Sequence, residues 1–91
     1  MPEVLHASVW FTGRVQGVGF RYQALQVAKE FEVSGSVQNL PDGRVLLEAE
    51  GAEGEVRGFV AAVRERLESY IRQVEQTEAR RAPQFRGFSI R

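Results

Sequence analysis

Residues 5–21 read LHASVWFTGRVQGVGFR and contain the first strand, loop and helix start that can be predicted from the sequence. Its first part, Leu5 to Thr12, alternates between apolar and polar residues, and this period of two predicts a strand with one apolar face. The glycines at positions 13, 17 and 19 interrupt the alternation and predict a tight loop. From Arg21 the apolar residues recur at intervals of one, three and four, which predicts an amphipathic helix.

The rest of the chain repeats the same two periods. The remaining predicted elements are strands at Val33–Leu40 and Arg44–Glu50, a helix from Val56 to Leu67, a strand at Ile71–Ala79, a loop at Arg80–Gln84 and a short final strand at Gly87–Ile90. Pro41-Asp42-Gly43 joins the second and third strands as a hairpin turn. The order β-α-β-β-α-β predicts an α+β, ferredoxin-like sandwich, an antiparallel sheet with two helices on one face, because such crossovers are right-handed. We expect residues 1–91 to form a single domain.

The composition limits the possible chemistry. The 91 residues include 12 basic and 12 acidic side chains, so there is no net positive charge to attract nucleic acid nonspecifically. With no cysteine, a disulfide, a thiolate nucleophile and a cysteine-based zinc site are excluded. A single histidine, His6, offers little for a metal site or a Ser-His-acid triad. The composition therefore gives no basis for a metal site built on cysteine or histidine.

The sequence shows neither a secretory signal nor a membrane-spanning segment. The segment Met1–Val4 lacks the basic and apolar regions of a secretory signal, and no apolar run approaches the roughly 20 residues of a membrane helix. We expect a cytoplasmic protein without a membrane or nucleic-acid partner, and a monomer is the default expectation.

Two polar side chains are predicted to meet the glycine-rich loop at one sheet edge. In the ferredoxin-like arrangement the first two strands run parallel with the third between them, which places Asn39 and the loop roughly 10 Å apart at the backbone. Asn39 shares its face with Val37, on the side that the helices cover. Arg21 follows the loop at the start of the first helix.

The loop has the properties of an anion site. Backbone amides near a helix N-terminus attract phosphate, and the planar guanidinium of Arg21 suits phosphate oxygens. The segment is neither a Walker A loop nor a Gly-x-Gly-x-x-Gly loop. From the glycine spacing alone, a turn that merely joins a strand to a helix explains the pattern equally well.

The whole segment from Gly13 to Arg21 closely resembles the signature of acylphosphatases, and Val37-Gln38-Asn39 with Asp42-Gly43 resembles that family's second motif. The resemblance covers nearly the whole chain. It implies hydrolysis of the carboxyl-phosphate bond in small acylphosphates, with no metal and no cofactor. In this scheme Arg21 binds the phosphoryl group and Asn39 positions the attacking water. The backbone amides that would share the phosphate with Arg21 are those of Val15, Gln16, Gly17, Val18, Gly19 and Phe20. Gln16 is expected to contribute its backbone rather than its side-chain amide.

The chain also departs from the family pattern. Ser36 and Gln38 stand where members commonly carry a larger residue and a basic one, and a Gly-Pro turn is missing around Glu68 to Ile71. We expect the first departure to affect the reaction rate or the fit of the substrate, whereas the second lies away from the proposed site.

Two other functions stay open. One is an RNA-binding module that stacks bases on the open sheet face, where Trp10 lies, although the RNP pattern is missing. The other is a sensing module that binds an anion without chemistry. On the same open face we expect His6 to be an inert surface residue and Glu48 and Glu50 to be solvated. Arg14 is expected to be a solvated or supporting charge.

Overall fold

The computed structural model describes residues 3–91, so Met1 and Pro2 of the N-terminal segment considered above lie outside the described residues. The strands are β1 (Val4–Gly13), β2 (Val33–Asn39), β3 (Val45–Gly51), β4 (Ile71–Arg81) and β5 (Phe88–Ile90), and the helices are α1 (Phe20–Ala28) and α2 (Glu53–Arg66). A 3-10 turn at Glu68–Tyr70 stands where the Gly-Pro turn is missing. The predicted elements are confirmed, except that β4 continues through Arg80 and Arg81, which were predicted to be loop.

The sheet has the order β4-β1-β3-β2-β5, which places β3 between β1 and β2. Both β1 and β2 pair antiparallel with β3, so they run parallel to each other as predicted. The ferredoxin-like architecture is confirmed. One detail was wrong: β5 pairs parallel with β2, through Gly35–Phe88 and Val37–Ile90, and the sheet is therefore mixed rather than antiparallel.

The core lies between the sheet and the two helices. The alternating residues Leu5, Ala7, Val9 and Phe11 of β1 are buried, and so are the apolar residues that α2 presents to the sheet, namely Val56, Phe59, Val60 and Val63. Each fully buried Val, Leu or Phe side chain contributes about 1.5–3 kcal/mol of transfer free energy, relative to an exposed one. The two periods in the sequence therefore correspond to the two surfaces that form this core. Within residues 3–91, no helix is long and apolar enough to cross a membrane.

The face of the sheet opposite the helices is not fully open. This finding corrects the expectations that His6 is an inert surface residue and that Glu50 is solvated. His6 and Glu50 are only 6% and 3% exposed, because the segment that follows β4 crosses over them. Phe85 stacks on the His6 ring with the centroids 6.2 Å apart, and Glu50 accepts the backbone N–H groups of Gln84 at 2.8 Å and Phe85 at 2.9 Å. Alternation identifies the face of a residue, but only the chain path shows what covers that face.

Candidate active site

Two buried side chains anchor the glycine-rich loop, one near each end. Val15 is 1% exposed and Phe20 is 2% exposed, and the Phe20 ring packs 5.0 Å from the ring of Phe11 in the core. Between them Gly17 and Gly19 are exposed. The apolar residues of the motif therefore attach the loop to the core, while its glycines lie at the surface.

The loop backbone adopts the conformation that favours glycine. Gly17 and Gly19 have φ angles of 78° and 80°, in the left-handed region, and Gly19 is the N-cap residue of α1. Within residues 3–91, none of the backbone amides from Val15 to Phe20 donates to a backbone carbonyl. These amides are therefore available to hydrogen-bond an anion held against the loop.

A cleft of about 200 Å³ adjoins the loop and contains both predicted catalytic side chains. Its lining consists of Val15, Gly17, Gly19, Phe20, Arg21, Tyr22, Asn39 and Ile90. Asn39 reaches the cleft from the last position of β2, and Arg21 from the first turn of α1. The predicted site residues therefore come together here, apart from Gln16 and Val18, which do not line the cleft.

The Arg21 guanidinium contacts the residue that follows β5. Its Nη1 donates a hydrogen bond of 3.1 Å to the backbone oxygen of Arg91, the residue after β5. The backbone N–H of Arg91 in turn donates to the carbonyl of Val37 in β2 at 2.9 Å. The guanidinium orientation thus depends on β5, an element whose short sequence carries no sign of this role.

The Gln16 side chain has a partner that the sequence did not predict. Its Nε2 donates to the carbonyl of Leu40 at 2.8 Å and to that of Arg44 at 3.0 Å, at the two ends of the β2–β3 turn. Gln16 therefore joins the loop to the turn next to Asn39. The sequence analysis expected only the backbone of Gln16 to contribute, but its side-chain amide also forms hydrogen bonds.

Val18 and Arg14 take no part in the lining of the cleft. Val18 lies beside a different cleft, with Gln23, Leu67 and Tyr70. Arg14 is exposed, as expected for a solvated charge, and its backbone N–H donates to the carbonyl of Tyr70 at 2.9 Å. A larger cleft of about 490 Å³ between the end of α2 and β4 contains none of the predicted site residues. The described part of the chain contains no group of three or more His, Cys, Asp or Glu that could hold a metal ion.

Comparison with known proteins identifies one family. The family model described as Acylphosphatase matches residues 7–90. An acylphosphatase of Bacillus velezensis is 44% identical over 79 residues, covering 86% of this chain and 88% of the relative. One from Archaeoglobus fulgidus is 48% identical over 56 residues, so this match spans only 63% of that relative's length.

A solved structure agrees over nearly the whole chain. The crystal structure of acylphosphatase from Bacillus subtilis superposes with a TM-score of 0.84 at 36% identity, covering 94% of this chain and 97% of that one. The family match over residues 7–90 and this superposition confirm the resemblance that the loop and the Asn39 motif first indicated. The chain belongs to the acylphosphatase family.

Proposed function

We propose that this protein hydrolyses the carboxyl-phosphate bond of small acylphosphates, without a metal, in the cleft between the glycine-rich loop and Asn39. The observation that carries the proposal is the convergence of a positively charged side chain, unpaired loop amides and a neutral amide side chain on one small cleft. Family membership supplies the substrate class.

In this proposal Arg21 and the amides of residues 15–20 hold the three peripheral oxygens of the phosphoryl group. Water attacks phosphorus, and the bond between phosphorus and the carboxyl oxygen breaks. The products are a carboxylate and inorganic phosphate, and the proton of the attacking water passes to phosphate or solvent. Because a carboxylate is a good leaving group, the protein contributes mainly positioning and stabilisation of charge.

Asn39 positions the water in this scheme. Its amide oxygen accepts a hydrogen bond from the water, but an amide is not a strong base, and neither an arginine nor an asparagine changes charge near neutral pH. The pH–rate profile should therefore be flat between mildly acidic and mildly basic pH. An inflection near the usual histidine value of about 6.5 would contradict the scheme and implicate His6.

The test is hydrolysis of benzoyl phosphate in the presence of EDTA by the wild type, Arg21→Ala and Asn39→Ala. Removing one group that stabilises a transition state costs roughly 100- to 1,000-fold in kcat, so each variant should lose at least that much. Binding of inorganic phosphate should weaken chiefly in Arg21→Ala. The matched controls are Arg14→Ala, an exposed loop arginine outside the cleft, and Gln73→Ala, an exposed amide side chain of β4 that is also outside the cleft.

Three results would contradict the proposal. Turnover that depends on a metal and is abolished by EDTA would exclude the metal-free mechanism. Intact phosphate binding without turnover would favour the sensing module, and tight, salt-sensitive RNA binding would favour the RNA-binding module.

A further inference from the structure

Two large apolar side chains are exposed within residues 3–91, and both line the candidate cleft. Tyr22 is 58% exposed and Ile90 is 41% exposed. Single exposed apolar residues are ordinary on protein surfaces and need no explanation. Here, however, they come from distant parts of the chain and meet at the cleft that contains Arg21 and Asn39.

The fold explains how the two side chains reach the same place. Phe88 and Ile90 share one face of β5, because side chains alternate along a strand, and Phe88 packs edge-on against Phe59 of the core at 5.3 Å. Ile90 therefore lies on the side of the sheet that the helices cover. Tyr22 lies in the first turn of α1, directly after Arg21, and faces the cleft from the helix.

The cleft lining therefore combines two kinds of group. It includes residues of the glycine-rich loop and the charged Arg21, and it also includes an aromatic ring and a branched aliphatic chain, those of Tyr22 and Ile90. An acylphosphate also combines two kinds of group, since a charged phosphoryl group is joined to an organic acyl group. A volume of about 200 Å³ is below the roughly 300–1,000 Å³ of sites for larger ligands, which limits the organic part to a small group.

We propose that Tyr22 and Ile90 bind the organic part of the acyl group and give the protein a preference for acylphosphates with a small aromatic or branched apolar group. This inference rests on the proposed function, because it assumes that the phosphoryl group is held by the loop and Arg21. Acylphosphates with a short acyl group, such as acetyl phosphate, lack the surface that the ring and the aliphatic chain would cover.

The experiment compares kcat/KM for benzoyl phosphate and acetyl phosphate, each divided by its uncatalysed hydrolysis rate in the same buffer. The corrected ratio should favour benzoyl phosphate by about 10-fold or more in the wild type, the size of effect that a small apolar contact has on specificity. Tyr22→Ala and Ile90→Ala should each lower this ratio about 10-fold, mainly through a higher KM for benzoyl phosphate. Tyr22→Phe, which keeps the ring, should retain most of the ratio.

The outcomes distinguish this inference from the function on which it rests. If the wild type hydrolyses both compounds with similar corrected efficiency, or if Tyr22→Ala leaves the ratio unchanged, the acyl-binding role is wrong while the hydrolase proposal stands. If the wild type hydrolyses neither compound, both proposals fail. Thermal unfolding of each variant checks that a lower ratio does not come from a damaged fold.

Discussion

At the scale of single residues, Gln16 shows how one side chain connects two parts of the candidate site. Its amide group donates to the carbonyls of both Leu40 and Arg44, and these carbonyls also accept the backbone N–H groups of Gly43 and Leu40. Each carbonyl oxygen has two lone pairs, so the second hydrogen bond does not displace the first. Since Leu40 directly follows Asn39, the Gln16 side chain links the glycine-rich loop to the turn beside the proposed water-positioning residue.

Gln16→Glu should therefore impair both stability and catalysis. A carboxylate cannot donate to the two carbonyls, and the loss of two hydrogen bonds costs about 1–3 kcal/mol of unfolding free energy. We expect a lower Tm and a lower kcat for benzoyl phosphate, measured by thermal unfolding and steady-state kinetics. Gln73→Glu, the same substitution at an exposed position of β4 outside the cleft, serves as the control. A wild-type kcat in Gln16→Glu would show that the two hydrogen bonds from Gln16 do not position Asn39.

At the scale of elements, the junction between the loop and α1 is the critical one. Gly19 is the N-cap of α1, in the left-handed conformation and without a side-chain cap. Sequence spacing predicted a loop here, but the φ angles follow from anchoring Val15 and Phe20 in the core on either side. The short loop must turn sharply between these anchors, and glycine does so without strain.

Gly19→Ala tests this junction without steric complication, because nothing lies within 4 Å of an added Cβ. An alanine in the left-handed region costs about 1–2 kcal/mol, so we expect a lower free energy of unfolding in urea and weaker binding of inorganic phosphate.

The matched control is Gly54→Ala in α2, where an added Cβ also meets open space and φ is not positive. That substitution should be neutral or stabilise the protein by up to about 1 kcal/mol. Equal effects of the two substitutions would contradict the role given to the left-handed conformation.

At the scale of the whole molecule, Glu50 connects the segment after β4 to the centre of the sheet. The Glu50 carboxylate accepts hydrogen bonds from the backbone amides of Gln84 and Phe85 and from Nε of Arg81, the last at 3.2 Å. It also lies 3.3 Å from Nδ1 of His6. Burial raises the pKa of Glu50, but the backbone amides and the Arg81 and His6 side chains outweigh it and place the pKa below the usual range. This crossing segment leads to β5, which supplies Ile90, and then to Arg91, whose backbone oxygen accepts the hydrogen bond from Arg21.

Glu50→Gln should lower the free energy of unfolding by roughly 2–3 kcal/mol near neutral pH, because a buried, charged hydrogen-bond acceptor is lost. A lowered pKa means that the stability due to the Glu50 carboxylate is present above the ordinary value of 4.5 and is lost as the pH falls through the folded-state value. The wild type should therefore lose stability on acidification more steeply than Glu50→Gln.

Urea unfolding between about pH 5.5 and pH 3 measures this difference across the ordinary titration range of a glutamate. The other charged groups near Glu50, namely His6, Glu48 and Arg81, are the same in both proteins. Glu75→Gln, on the exposed side of β4, is the control and should change stability by less than about 0.5 kcal/mol. Parallel pH profiles for the wild type and Glu50→Gln would contradict this account.

The amino-acid sequence alone was sufficient to predict the order of helices and strands, the ferredoxin-like architecture, the family and the residues proposed for the site. These follow from local information: periods of two and of three to four, turn residues at fixed positions, and a motif that is continuous from Gly13 to Arg21. Contacts between residues that are distant in the chain could be seen only in the tertiary structure. The burial of His6 and Glu50, the direction of β5, the clamp by Gln16 and the meeting of Tyr22 with Ile90 all join residues far apart in the chain. Such contacts depend on the path of the chain, which local periodicity does not encode.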